Sequence, residues 1–141
     1  MTEEQRQKRR VAVVVCMNLA VGALHFVTGT DYRGPLRHFV NGYLIAITLP
    51  FGAYFLLALN NKACRFLRPW VIKSGIVFIV IASAEVAQYF GIPIFGETYD
   101  PWDFVAYASG SLLAAAADRI LFPRIFSFWT EVDLRAPAIA G

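Results

Sequence analysis

Four apolar runs follow one another along this chain, each about as long as a helix that crosses a bilayer, with charge confined to the stretches between them. They extend from Val11 to about Gly29, from about Phe39 to Leu59, from about Val71 to Phe90 and from about Trp102 to Phe122. Hydrocarbon offers no partner to a backbone N–H or C=O, so runs of this kind dictate helices, whose hydrogen bonds are internal. A soluble core of 141 residues has no need of four such runs. Composition agrees: 57% of residues are hydrophobic and 16% charged, where soluble domains are roughly 45–50% apolar. The expected fold is therefore all-α, a polytopic membrane protein built as a bundle of four transmembrane helices over about 11–29, 39–59, 71–90 and 102–122. Residues 1–10 are expected to form a polar leading segment, 11–122 the membrane domain and 123–141 a tail. Pro50 and Gly52 are expected to kink the second helix, and Gly91 with Pro93 to close the third.

The charged leader MTEEQRQKRR and the run behind it have the outline of a signal peptide. The run exceeds an h-region of roughly 7–15 residues, and no small-x-small cleavage site follows. It is read as an uncleaved first helix. Four spans put both termini on one side. Arg6, Lys8, Arg9, Arg10, Lys62, Arg65, Arg68, Lys73, Arg119, Arg124 and Arg135 then share that side, and only Arg33 and Arg37 lie opposite. The positive-inside rule places both termini in the cytoplasm and the acidic loop outside.

The sequence pI of about 9.1 does not read as a nucleic-acid footprint, because the basic residues sit at segment ends and not on one face with stacking aromatics. Cys16 and Cys64 have neither disulfide nor metal-ligand spacing and read as small apolar residues. Aromatics at run ends (Tyr32, Trp70, Tyr99, Trp102, Phe122, Trp129) suit interfacial belts.

The polar exceptions gather in EVAQYFGIPIFGETYDPWDFVAY, from Glu85 to Tyr107. Asp100 has the place of an N-cap, with Pro101 at the first helical position and Asp103 at the third, both acids at the positive end of a helix dipole. Glu85 lies deeper, about two turns inside the third helix. A carboxylate there costs a few kcal/mol unless paired, neutralised or near the interface. Gln88, three residues on, shares its face. Two readings stand side by side: an interhelical hydrogen-bond pair, and a ligand site.

Glu85 and Gln88 near the end of the third helix, then Asp103 seven residues before Gly110 in the fourth, resemble the pattern of the VanZ-like family. LRHFVNGYLI, with His38 and Tyr43, is similar to that family's second-helix entrance. The resemblance runs from Leu36 to Phe122. It implies a small four-helix protein of the bacterial inner membrane, with founding members associated with glycopeptide resistance and an outer-leaflet role toward a lipid or cell-wall precursor. Two positions depart: Glu97 stands where the family usually carries Arg, and Tyr107 where it usually carries Asn. Losing the bidentate guanidinium fork weakens recognition of an anionic group. The expectation is that Arg33 or Arg37 pairs with Glu97, Asp100 or Asp103 as a structural clasp.

Other chemistry is sparse. Ser109 and Ser111 lie in apolar helix without a nearby His or a G-x-S-x-G turn, and read as back-bonding serines. His25 and His38 each have the ring nitrogen of a haem or chlorophyll-type ligand, and each reads more simply as an interfacial hydrogen bond. Asp118 and Arg119 are read as facing water or a neighbouring loop. Ala106, Gly110 and Ala114 form a small-residue stripe for close helix approach. No metal and no cofactor is expected beyond a bound lipid. The expected role is non-catalytic: an accessory or scaffold subunit among other transmembrane subunits and membrane lipids. The alternative is the envelope lipid- or precursor-binding role that the resemblance implies.

Overall fold

The computed structural model describes residues 1–29, 31–92 and 100–129, and among these every regular element is helical. Helix α1 (Glu3–Thr28) begins at a capping box: Thr2 accepts from the Gln5 N–H while the Gln5 side chain reaches back to the Thr2 N–H. Glu3 and Glu4 occupy its first turn, where the helix dipole favours acids. Residues 3–10 of the polar leading segment are the first turns of α1. The helix is long enough to extend its charged turns beyond a hydrocarbon core.

The second run is not one helix over 39–59. It divides into α2 (Arg37–Gly42) and α3 (Leu44–Ala58), with Tyr43 out of helical geometry between them. The Asn41 side chain exchanges hydrogen bonds with the backbone of Tyr32, tying α2 to the preceding loop. Pro50 lies inside α3 and is buried there. A 3-10 turn (Arg65–Leu67) leads to α4 (Trp70–Tyr89). That helix ends at Gly91, whose φ of 80° is the left-handed conformation glycine tolerates. The Gly91 and Ile92 N–H groups return to the Gln88 and Ala87 carbonyls, completing a Schellman cap.

Helix α5 (Pro101–Ala116) runs into a π turn (Ala117–Leu121) and then α6 (Phe122–Ile125). The π turn comes just before Pro123, whose ring would collide with the Arg119 carbonyl in a regular helix. Among the described residues three helical stretches are long and apolar enough to cross a membrane: α1, α4 and the continuous stretch Pro101–Ile125. The shorter apolar helix α3 is the fourth apolar element.

Helix α3 is the hub, packed on α1, α4 and most extensively on α5. Gly110 explains the last contact. A Cβ there would collide with the Ile47 carbonyl and the Pro50 ring, so only glycine lets α5 seat against α3. Ala106 and Ala114 are buried along the same line. Gly52 plays the matching part toward α1, where a Cβ would press on the Asn18 amide. Toward the end of the bundle that carries the N-terminus the core is aromatic. Phe55 stacks on Phe122 at 4.9 Å, and Trp129 closes edge-on against Phe122 at 4.7 Å. Phe122 and Trp129 are therefore core residues and not interfacial belt, because the turn after α6 carries Trp129 back into the bundle.

Candidate functional site

Two buried polar clusters lie at opposite ends of the bundle. The one at the end away from the N-terminus is the acidic corner. Asp100 caps α5 by accepting the Trp102 N–H at 2.9 Å, and its other oxygen accepts the Tyr43 hydroxyl at 3.3 Å. The break between α2 and α3 places that phenol. Glu85 is 3% exposed, and the Tyr107 hydroxyl donates to it at 2.8 Å from the facing helix. Asp103, one turn before Tyr107, faces Glu85. Gln88 is half-buried on the next turn of α4. The corner thus joins α4 to α5 through side chains of this chain.

The expected clasp is not what the described residues make. Arg33 pairs with Asp31 at 2.8 Å, with both side chains exposed. Among the described residues no ion pair reaches Glu85, Asp100 or Asp103. A short exposed loop lets Arg33 find the nearest acid, two residues away, before any helix-borne one. Glu97, Tyr99 and Arg135 lie outside the described residues. Near the same end as the corner, Arg37 and His38 line a groove of about 620 Å3 with Asp31, Tyr32, Arg33 and Asn41. His25 bonds the Thr48 hydroxyl at 2.8 Å, linking α1 to α3. Ser109 and Ser111 donate to the Val105 and Ala108 carbonyls of their own helix. Cys16 and Cys64 are free thiols and both exposed.

The second cluster is built on Asp118, read from the sequence as facing water or a neighbouring loop; its side chain is 16% exposed. The π turn brings it inside, where its Oδ1 accepts the Trp129 indole N–H at 2.9 Å and its Oδ2 the Tyr54 hydroxyl at 3.0 Å. Lys73 is 2% exposed and lies 3.4 Å from the same Oδ2. Its ammonium also bonds Asn61 at 3.4 Å and sits 5.1 Å from the Tyr54 ring centre. Arg10 of α1 donates to the backbone carbonyls of Phe128 and Trp129, which holds the returning segment in place.

A signal for this cluster was present in the sequence. Lys73 and Asp118 are opposite charges set at similar depth in the third and fourth runs, both counted from the same face.

We compared the chain with protein-family models, with curated proteins and with solved structures. Nothing matches. The functional reading therefore rests on chemistry. Among the described residues no three His, Cys, Asp or Glu side chains gather as a metal site. The acidic corner offers buried acids whose hydrogen bonds are taken up between helices. The other cluster offers a buried ion pair beneath an open basic cavity.

Proposed function

We propose that this protein is a non-catalytic integral membrane protein, an accessory or scaffold subunit of a larger membrane assembly. In this reading the four apolar elements form a four-span bundle in a bacterial inner membrane, of the VanZ-like kind, with both termini cytoplasmic. The observation that carries the reading is the seating of α1. Only 6% of its apolar window is buried within the chain, against 33% and 39% for the other two long stretches. Val14 is its one buried residue. Its remaining apolar surface, with Leu19, Leu24 and Phe26 exposed, is available to another transmembrane helix. The small-residue stripe does not serve that purpose, because α3 already covers Gly110.

The Glu85–Tyr107 bond supports a structural role for the corner, since it engages the buried acid with a neighbouring helix of the same chain. The test is extraction of the tagged full chain from native membranes in mild detergent, followed by size exclusion and mass spectrometry. A stoichiometric set of companions supports the subunit reading. A lone small particle carrying only lipid sinks it.

One observation favours the second reading, an envelope protein that holds a lipid or cell-wall precursor at the outer leaflet. The groove lined by Asp31, Arg33, Arg37 and His38 presents the Arg37 guanidinium at that end, beside an Arg33 held by Asp31. Loss of precursor binding on Arg37→Gln, in a chain that purifies alone, would move the assignment there.

A further inference from the structure

A cavity of about 630 Å3 opens beside the buried Lys73–Asp118 pair, at the end of the bundle that carries the N-terminus. Arg10, Arg68, Lys73 and Arg119 line it, from α1, the loop before α4, α4 itself and the π turn. Asp118 is the one acid among the described lining residues, and both its oxygens are already engaged by Trp129, Tyr54 and Lys73. The wall therefore carries four cations against one occupied carboxylate. Lys73 has three donors and makes two long bonds, each 3.4 Å. Arg68 and Arg119 are exposed at the mouth. Val14, Leu59 and Val71 supply apolar wall beside the charges.

We infer that this cavity binds a phosphate-bearing anion, with guanidinium groups gripping the phosphate and the apolar wall receiving what is attached to it. Two sources share that chemistry: the headgroup of an anionic phospholipid and a soluble phosphate. Guanidinium forks match phosphate oxygens in pairs, and basic pockets between transmembrane helices suit acidic headgroups. The inference is independent of the subunit reading, since it concerns a pocket within one chain.

The test uses the full chain in nanodiscs of mixed phosphatidylglycerol and phosphatidylcholine, released for native mass spectrometry, with retained lipids counted. The wild type is expected to retain phosphatidylglycerol in preference. Arg68→Gln with Arg119→Gln is expected to lower that preference about thirtyfold, the size set by two basic residues at an anionic surface. Arg65→Gln with Arg124→Gln removes equal charge from the same end without touching the cavity, and is expected to leave the preference unchanged. Equal retention of the two lipids by the wild type, together with no phosphate stabilisation in the second arm below, overturns the inference. So does an equal loss in both double variants. A second arm titrates inorganic phosphate into delipidated protein and follows thermal unfolding. Stabilisation that needs Arg68 and Arg119 assigns the site to soluble phosphate. Its absence, with the lipid preference intact, assigns it to the headgroup.

Discussion

The Tyr107 hydroxyl and the Glu85 carboxylate meet at 2.8 Å between α5 and α4, both side chains buried. A buried carboxylate stripped of its donor keeps its desolvation cost. Tyr107→Phe is expected to destabilise by about 1–3 kcal/mol, the cost of leaving a buried acceptor without its donor. Glu85→Gln keeps an acceptor for Tyr107 and offers Asp103 an amide donor, so it should cost less. Thermal unfolding in detergent ranks the two, and a larger loss for Glu85→Gln would falsify this account of the corner.

Gly110 and Gly22 make a matched pair of tests. A Cβ at Gly110 strikes the Ile47 carbonyl and Pro50, whereas one at Gly22 meets nothing within 4 Å. Gly110→Ala is expected to lower stability by about 1–3 kcal/mol through overpacking. Gly22→Ala should be neutral or slightly stabilising, because alanine restricts the unfolded chain and favours helix. Equal melting temperatures for the two variants would mean that α5 does not seat on α3 through Gly110.

Removing either member of the buried ion pair leaves the other uncompensated, but not equally. Asp118→Ala leaves Lys73 with Asn61 alone, and about 3–5 kcal/mol is expected to be lost. Lys73→Met leaves Asp118 with the Tyr54 and Trp129 donors, and so should cost less. A double-mutant cycle should show coupling between the two positions. Additive losses would place them apart.

Trp129 gives a sharper contrast between surface and core. An interfacial tryptophan is cheap to remove, with surface substitutions usually within about 0.5 kcal/mol. Trp129 is 6% exposed, packs on Phe55 and Phe122 and donates to Asp118. Trp129→Ala is expected to cost about 3–5 kcal/mol. A melting temperature within error of the wild type would return this residue to the interface.

Glu3, in the polar first turn of α1, bonds Lys62 at 2.7 Å, and the neighbouring ammonium holds its carboxyl below the ordinary carboxylate value. Because the folded-state value is the lower one, the contribution is complete above the ordinary value and fades as pH falls through the lowered one. The pair is exposed, so the effect is small. Stability of the wild type relative to Glu3→Gln should be flat near neutrality and shrink on acidification. A difference that grows on acidification would have the wrong sign.

What the sequence made legible follows from how hydrocarbon acts on a chain. It forces apolar runs into helices and penalises stray charge, so the helical class and the near ends of the runs around Trp70 and Pro101 could be read directly. The N-cap of Asp100 was legible because capping is local. The break at Tyr43 was not, because it is fixed by partners far along the chain: Asn41 turned back to Tyr32, and the Tyr43 phenol to Asp100. Lys73 and Asp118 were misplaced for a related reason. Each charge alone reads as a residue at the rim, and only their pairing inside the bundle makes the burial affordable. The small-residue stripe was visible as a contact surface, but the identity of its partner, α3, came only with the fold.

The return of Trp129 has a consequence for the order of folding. The wedge between Phe55 and Phe122 comes from beyond the last apolar helix, so this end of the core closes only when the turn after α6 folds back on α3. A chain lacking Trp129 would keep its helices and lose the indole that donates to Asp118. Forming the helices and sealing this end are therefore separate steps.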